Sequence, residues 1–231
     1  MPEVIENAAE GRVRCGHKRV AIIGAAPLRA MAPWDDTEVC FWAINEIEQP
    51  RFDRHFELHP MAVQSQGEMA WLRDCWKPCY TLELVPEIPG SVRFPLERVM
   101  EVTGNVEFFT CTFAYQIALA VAEGFEQIGL YGVDLPWGNW RERVQENACV
   151  AYWIGYARGR GIEVVMPFRS ALASHPFRYG YDYGQEKGWV EDKGRECWRS
   201  SRTSSSQTGQ VRAMSTESTA KNGRGRTDLV K

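Results

Sequence analysis

Several short apolar runs in this chain end on a small, polar or ionisable residue. The residues in these positions are Gly24, Ala25, Pro27, Asn45, His59 and Asp134. Small residues let a ligand approach the backbone closely, a carboxamide both donates and accepts hydrogen bonds, and a histidine or a carboxylate can carry a proton. The pattern indicates a binding and proton-transfer site, provided that the runs end at the same edge of one sheet.

The apolar runs have the length and composition of buried strands. The predicted strands cover residues 19–24, 39–44, 53–58, 79–84, 127–133 and 162–166. The predicted helices cover residues 61–75, 95–102, 110–123 and 140–158, and a proline-rich loop is predicted over 86–95. This alternation predicts an α/β, Rossmann-like fold with a mostly parallel sheet and helices on both faces. In such sheets, ligands bind outside the carboxyl ends of the strands, where the polar residues fall.

Thr110, Cys111 and Thr112 open the predicted helix over 110–123, which is apolar nearly all round. The start of a helix presents free N–H groups and the positive end of the helix dipole, and therefore suits an anion such as a phosphate. Hydroxyl groups in this place either bind phosphate oxygens or cap the helix. The same dipole can lower the pKa of a cysteine thiol.

Each of these residues also has a purely structural interpretation. The loop at Gly24 is either a ligand cradle or a tight turn, and Asn45 and Asp134 either contact a ligand or cap the next element. His59 either carries a proton or only packs against its neighbours. Glu142 lies in a run of charged residues, and most of that run is expected to form the solvated face of a helix. The segment 75–79 has two cysteines but no second ligand pair, so no metal site is predicted.

Composition restricts the function classes. The net charge is −3, with 44% hydrophobic and 25% charged residues, which gives no support for general nucleic-acid binding. The chain has no apolar run long enough to span a bilayer, and residues 1–18 lack the apolar core of a signal peptide. Seven cysteines at irregular spacing are not a disulfide framework. We therefore expect a cytoplasmic protein with a small-molecule ligand.

Three segments are predicted along the chain. Residues 1–17 are expected to form a loose leader, and residues 18–183 the nucleotide-binding domain. Residues 184–231 form a basic segment that is rich in serine and threonine, and twelve of the last 33 residues are of these two types. Such a composition buries too little apolar surface to order itself, so a disordered tail is predicted.

The segments Phe109–Tyr115, Gly124–Phe125 and Ile128–Asp134 together resemble a family of Rossmann-like enzymes. The family includes bacterial sialyltransferases, motility-accessory glycosyltransferase-like proteins and 6-hydroxymethylpterin pyrophosphokinases, with uncharacterised members encoded by bacteriophages. Val20–Pro27 is similar to the family's first strand and its glycine-rich loop, and Asn45 and His59 stand where the family has polar residues. The resemblance covers roughly residues 18–175.

The resemblance implies a nucleotide-binding transferase. It places Gly24, Ala25, Pro27 and Asn45 near the nucleotide, and Thr110, Cys111 and Thr112 near its phosphate. Pro136 replaces the family's tyrosine, and no histidine lies between residues 134 and 161. The proton acceptor is therefore expected among Asp134, Glu142 and His59.

Three functions remain open at this point. The leading one is glycosyl transfer from a nucleotide-sugar donor. The second is diphosphotransfer from ATP, as in the pterin branch of the family, with Mg²⁺ held by carboxylates such as Asp134 and Glu142. The third is a bacteriophage-type protein without catalysis that binds a nucleotide or a partner in the host cytoplasm.

Overall fold

The computed structural model of the chain describes residues 4–14, 16–44, 49–135, 140–168 and 170–172. All of them lie in one compact unit, Met1–His175. The predicted tail over residues 184–231 lies outside the described residues, as does the end of the domain predicted over 18–183. No helix in the described ranges combines the length and the apolar character that crossing a membrane requires.

Nine strands and four α-helices are found in the described part of the chain. The strands are β1 (Val4–Asn7), β2 (Arg12–Arg14), β3 (Arg19–Ile23), β4 (Val39–Ile44), β5 (Arg54–Phe56), β6 (Cys79–Thr81), β7 (Ser91–Arg93), β8 (Gln127–Tyr131) and β9 (Glu163–Val165). The helices are α1 (Gln66–Asp74), α2 (Leu96–Thr103), α3 (Thr112–Glu123) and α4 (Trp140–Gly159), with short 3-10 helices at Pro27–Met31 and Met61–Val63.

Seven strands form a parallel sheet in the order β7-β6-β5-β4-β3-β8-β9. From β3 the chain moves outward through β4 to β7, and α3 then returns it to β8 on the other side of β3. The direction of the connections therefore reverses between β3 and β8, which makes this pair the topological switch point. The parallel sheet confirms the predicted α/β, Rossmann-like class.

Both faces of the sheet are covered because alternate strand residues point to opposite sides. Val20, Ile22 and Trp42 pack in the main core with α2, α3 and α4. On the opposite face, Phe41 stacks on Trp34 with ring centroids 5.0 Å apart, and Leu72 of α1 packs with β6. The expectation of helices on both faces is confirmed.

Residues 4–14 form an antiparallel hairpin of β1 and β2, where the sequence predicts a loose leader. Val13 is buried in the main core. The hairpin is tied to the sheet by the Arg93 amide, which donates to the Ala8 carbonyl at 2.8 Å, and by the Tyr80 hydroxyl, which donates to the Gly11 carbonyl at 3.2 Å. These contacts come from residues about 70 to 90 positions away, so the local sequence gives no sign of them.

Two further elements differ from the sequence prediction. The helix predicted over 61–75 begins only at Gln66, because Ser65 and Glu68 form a capping box that fixes the start there. The loop predicted over 86–95 contains β7, which pairs with β6 in parallel register. A strand of three residues is too short to show a periodic pattern.

The ring of His55 is buried under α1. It is 1% exposed, and its ring centroid lies 4.7 Å from that of Trp71. Burial lowers the pKa of His55 to about 4, against a partial increase from the charge of Glu57. The folded protein therefore holds this histidine neutral at pH values where an unfolded chain would protonate it.

Acid is expected to destabilise the protein through His55. The folded pKa lies below the ordinary value of 6.5, so stability is lost as the pH falls from about 6.5 to 4, by about 3 kcal/mol. Urea unfolding at pH 7 and at pH 4.5 measures this loss. His55→Phe is expected to remove most of this pH dependence, and an unchanged pH dependence in the variant would contradict the assignment.

Candidate functional site

The predicted site residues lie on one edge of the sheet, because they follow parallel strands. Gly24 follows β3, His59 comes shortly after β5, and Asp134 comes shortly after β8. Asn45, which follows β4, lies outside the described residues. Strand order then sets the spacing: β5 and β8 are three positions apart, or about 14 Å. His59 and Asp134 therefore cannot both contact the same reacting atom.

The loop after β3 is closed onto the end of β8. The Gly24 amide donates to the Tyr131 carbonyl at 2.8 Å, and the Ala26 amide donates to the Gly132 carbonyl at 3.0 Å. A Cβ atom on Gly24 would overlap the Gly132 carbonyl oxygen. Gly24 is thus buried against the backbone of Gly132, and the exposed Ala25 and Pro27 are the parts of this loop that a ligand can reach.

Gly24→Ala is expected to lower the free energy of unfolding by about 1–3 kcal/mol, because the added methyl group must displace backbone. Gly155→Ala is the matched control, since Gly155 lies exposed on α4 with no atom near the added methyl group. Alanine there is expected to stabilise the helix by roughly 0.5–1 kcal/mol. Urea denaturation of both variants measures the difference, and a Gly24→Ala variant of unchanged stability would show that Gly24 and the Gly132 backbone are not in close contact.

The start of α3 is accessible at Thr110, which is exposed and whose hydroxyl donates to the Gln145 carbonyl of α4 at 3.3 Å. The helix begins at Thr112, and Cys111 is its N-cap residue without a side-chain capping hydrogen bond. Burial raises the pKa of Cys111 to about 12, which outweighs the lowering by the amide of Ala114. The position at the helix start therefore does not lower this pKa below its ordinary value, and the thiol stays protonated at neutral pH.

Glu146 of α4 lies close to this helix start, and Glu142 lies close to Glu146. Burial raises the pKa of Glu146, and the charge of Glu142, which is exposed, raises it further. The charge of Glu146 also contributes to the raised pKa of Cys111, which places the carboxylate close to the start of α3. A phosphate bound here would face this negative charge unless Glu146 is protonated, the form that its raised pKa favours.

Asp134 is half-buried after β8. Burial raises the pKa of its carboxyl group, against a hydrogen bond from the Ala171 amide that lowers it. Its Oδ1 atom is buried and has no hydrogen-bond partner within the described ranges. A buried oxygen of this kind is costly, and such exceptions call for an explanation such as a bound ligand or a water molecule.

His59 is the predicted site residue with the most defined partner. Its Nδ1 atom lies 2.7 Å from Oε1 of Glu57, and its side chain is 61% exposed, whereas that of Glu57 is 5% exposed. The Gln64 amide group donates to the same carboxylate oxygen at 2.9 Å. The hydrogen bond to Glu57 raises the pKa of His59, although partial burial opposes it. The imidazole is thus held at Nδ1 while most of its surface stays exposed.

Glu57 and Gln64 are functional candidates that the sequence does not reveal as such. Glu57 lies two residues before His59, and residues at this spacing in an extended chain point to the same side. In the sequence, Glu57 shows only as a carboxylate near the end of a predicted buried strand. Gln64 comes from the next 3-10 segment, and only the fold brings it to Glu57.

Gln116 is a third residue that the sequence does not single out. It is fully buried on α3, one turn after Thr112, and its amide group donates weakly to the Ala43 carbonyl of β4 at 3.5 Å. Its Oε1 atom has no hydrogen-bond partner among the residues that the structure describes. In the sequence, the apolar residues around Gln116 give no sign that its side chain lies beneath the end of β4.

The fold and the site together define a parallel α/β protein with polar groups along the carboxyl edge of its sheet. Comparisons with protein-family models, with curated proteins and with solved structures find no match to the chain. In the ranges that the structure describes, no three His, Cys, Asp or Glu side chains are grouped as ligands of a metal ion.

Proposed function

We propose that the protein is a transferase that binds a nucleotide-activated donor at the carboxyl edge of the sheet, most simply a nucleotide sugar. The observation that carries the proposal is the pair of His59 and Glu57, with an exposed imidazole oriented by a buried carboxylate 2.7 Å away. A histidine held in this way is suited to take a proton from an acceptor hydroxyl.

The transfer step follows from this arrangement. The acceptor hydroxyl oxygen forms a bond to the anomeric carbon of the sugar, and the bond from that carbon to the phosphate oxygen breaks. The nucleotide leaves with the electron pair, and the hydroxyl proton passes to Nε2 of His59. Glu57 accepts the Nδ1 hydrogen bond and stabilises the imidazolium that forms.

The donor is proposed to lie across the ends of β3, β4 and β5. Ala25 and Pro27 provide an exposed loop surface at one end, and the start of α3 provides backbone dipoles for the phosphate. The ends of β3 and β5 are two strand positions apart, about 10 Å, which a nucleotide sugar can span. A nucleotide-dependent enzyme of this kind works in the cytoplasm, which is the host cytoplasm for a bacteriophage-encoded protein.

His59 is preferred over the other two predicted proton acceptors on geometric grounds. Asp134 lies about 14 Å away from it across the sheet and is contacted by the amide of Ala171. Glu142 is exposed in the first turn of α4. The imidazole of His59, in contrast, is oriented by the Glu57 carboxylate 2.7 Å away.

The second candidate function is diphosphotransfer from ATP with Mg²⁺. It is favoured by the carboxylate of Glu146 close to the start of α3 and by that of Glu142 close to Glu146. Mg²⁺ is commonly held by one or two carboxylates together with substrate phosphates and water. The two functions differ in their response to EDTA, which should abolish nucleotide binding only if Mg²⁺ bridges the phosphates to these glutamates.

Isothermal titration calorimetry with CMP-, UDP- and GDP-sugars and with ATP tests the proposal. One donor is expected to bind, and Thr110→Glu is expected to weaken that binding because it adds negative charge at the start of α3. Thr37→Glu is the matched control on the opposite edge of the sheet. Absence of heat with every donor would overturn the transferase proposal, and binding without turnover would indicate a non-catalytic nucleotide-binding protein.

A further inference from the structure

A cavity of about 560 Å³ lies at the amino-terminal edge of the sheet, opposite the candidate site. His17, just before β3, and Phe125, just before β8, both line it. Pockets for small molecules commonly have volumes in this range. The five residues of β3 separate the two edges by about 16 Å, so a molecule in this cavity does not contact His59.

Three of the eight residues that line the cavity are arginines, and two are glutamates. Arg12 and Arg14 come from the hairpin and Arg98 from the first turn of α2, and the lining carboxylates are Glu6 and Glu123. Glu123 lies 2.8 Å from the guanidinium of the buried Arg54, which offsets its charge. The arginines of the lining therefore leave an excess of positive charge.

The guanidinium groups of the lining are available to a ligand. Arg12 pairs with Glu10 at 2.7 Å and Arg14 with Glu6 at 3.4 Å, but all four side chains are about half exposed or more. Such exposed ion pairs contribute little free energy and are readily exchanged. Arg98 is exposed and makes no ion pair with any residue in the described ranges.

We propose that this cavity binds a small molecule that carries a phosphate group. Arginine forks bind phosphate oxygens through two parallel hydrogen bonds, and three arginines here come from two separate elements around one concave space. The Glu6 carboxylate, 47% exposed, is suited to accept hydrogen bonds from hydroxyl groups, which favours a phosphorylated sugar over a bare anion. The volume of about 560 Å³ is in the range of small-molecule pockets.

Calorimetry at low ionic strength with glucose 6-phosphate, inorganic phosphate and glucose tests this proposal. Glucose 6-phosphate is expected to bind, glucose is not, and inorganic phosphate is expected to bind more weakly. Arg98→Gln is expected to weaken binding by about tenfold, because it removes a hydrogen bond between a charged guanidinium and the phosphate. Arg73→Gln, an exposed arginine on α1, is expected to leave the affinity unchanged, and circular dichroism checks that each variant is folded.

The test also separates the two sites of the molecule. His59→Ala is expected to leave the affinity for glucose 6-phosphate unchanged, whatever it does to nucleotide binding. The proposal is overturned by absence of glucose 6-phosphate binding, by unchanged affinity in Arg98→Gln, or by equal weakening in Arg98→Gln and Arg73→Gln. Failure of the nucleotide titrations would leave this result unaffected, because the probe and the variants differ.

Discussion

His59→Ala is expected to lower kcat of donor-dependent transfer by about 10²–10⁴-fold, the range that a positioned proton acceptor contributes. Glu57→Gln is expected to lower kcat less, because the imidazole remains in place while its orientation and the stabilisation of its charged form are weakened. Steady-state kinetics with the donor that binds in calorimetry measures both losses. The two variants are expected to retain donor binding, since neither residue is assigned to the nucleotide.

The dependence of kcat on pH is a second test of the role of His59. Glu57 raises the pKa of His59, and a proton acceptor works in its neutral form, so kcat is expected to rise with pH through that raised pKa. Removing the carboxylate charge in Glu57→Gln should move this rise to lower pH. Glu87→Gln, an exposed glutamate elsewhere on the molecule, is the control. A pH profile that is unchanged in Glu57→Gln would contradict the role of His59.

Glu123→Ala is expected to lower the free energy of unfolding by about 3–5 kcal/mol, the cost of breaking a buried ion pair on one side. The guanidinium of Arg54 is fully buried, 2.8 Å from Glu123 and 4.8 Å above the ring of Trp42. Without the carboxylate, a charge that is shielded from water loses the partner that offsets its desolvation.

Glu97→Ala is the matched control for this variant. Glu97, in the first turn of α2, pairs with Arg93 of β7 at 2.6 Å, but its side chain is 71% exposed. Removing it is expected to cost about 0.5 kcal/mol or less. Urea unfolding of both variants measures the contrast. Equal losses in the two variants would show that the Arg54–Glu123 pair is not insulated from water.

The central strands could be predicted closely from the sequence, whereas the edges of the sheet could not. Strand β4 matches its predicted bounds because all six of its residues are apolar and buried. Strand β7 and the hairpin of β1 and β2 have no such run. Their pairing depends on contacts with residues far away in the sequence, such as the contact of Arg93 with Ala8. Strand propensity and hydrophobic periodicity do not predict such contacts.

The candidate site could be located from the sequence but its chemistry could not. The rule for parallel sheets places His59 and Asp134 at one edge, and the structure places them there. The sequence does not show that Gly132 fills the space beside Gly24, because this contact joins two strands that are over 100 residues apart. The sequence also gives no measure of how deeply Cys111 is buried. That burial raises the pKa of its thiol, although backbone hydrogen bonds at the helix start lower it.

A crystal structure with the tightest-binding nucleotide donor is the most direct test of the central claim. We expect the nucleotide at the carboxyl edge of the sheet, with a phosphate beside the first turn of α3 and the transferred group facing Nε2 of His59. A nucleotide found in the arginine-lined cavity at the amino edge, or remote from both α3 and His59, would contradict the claim.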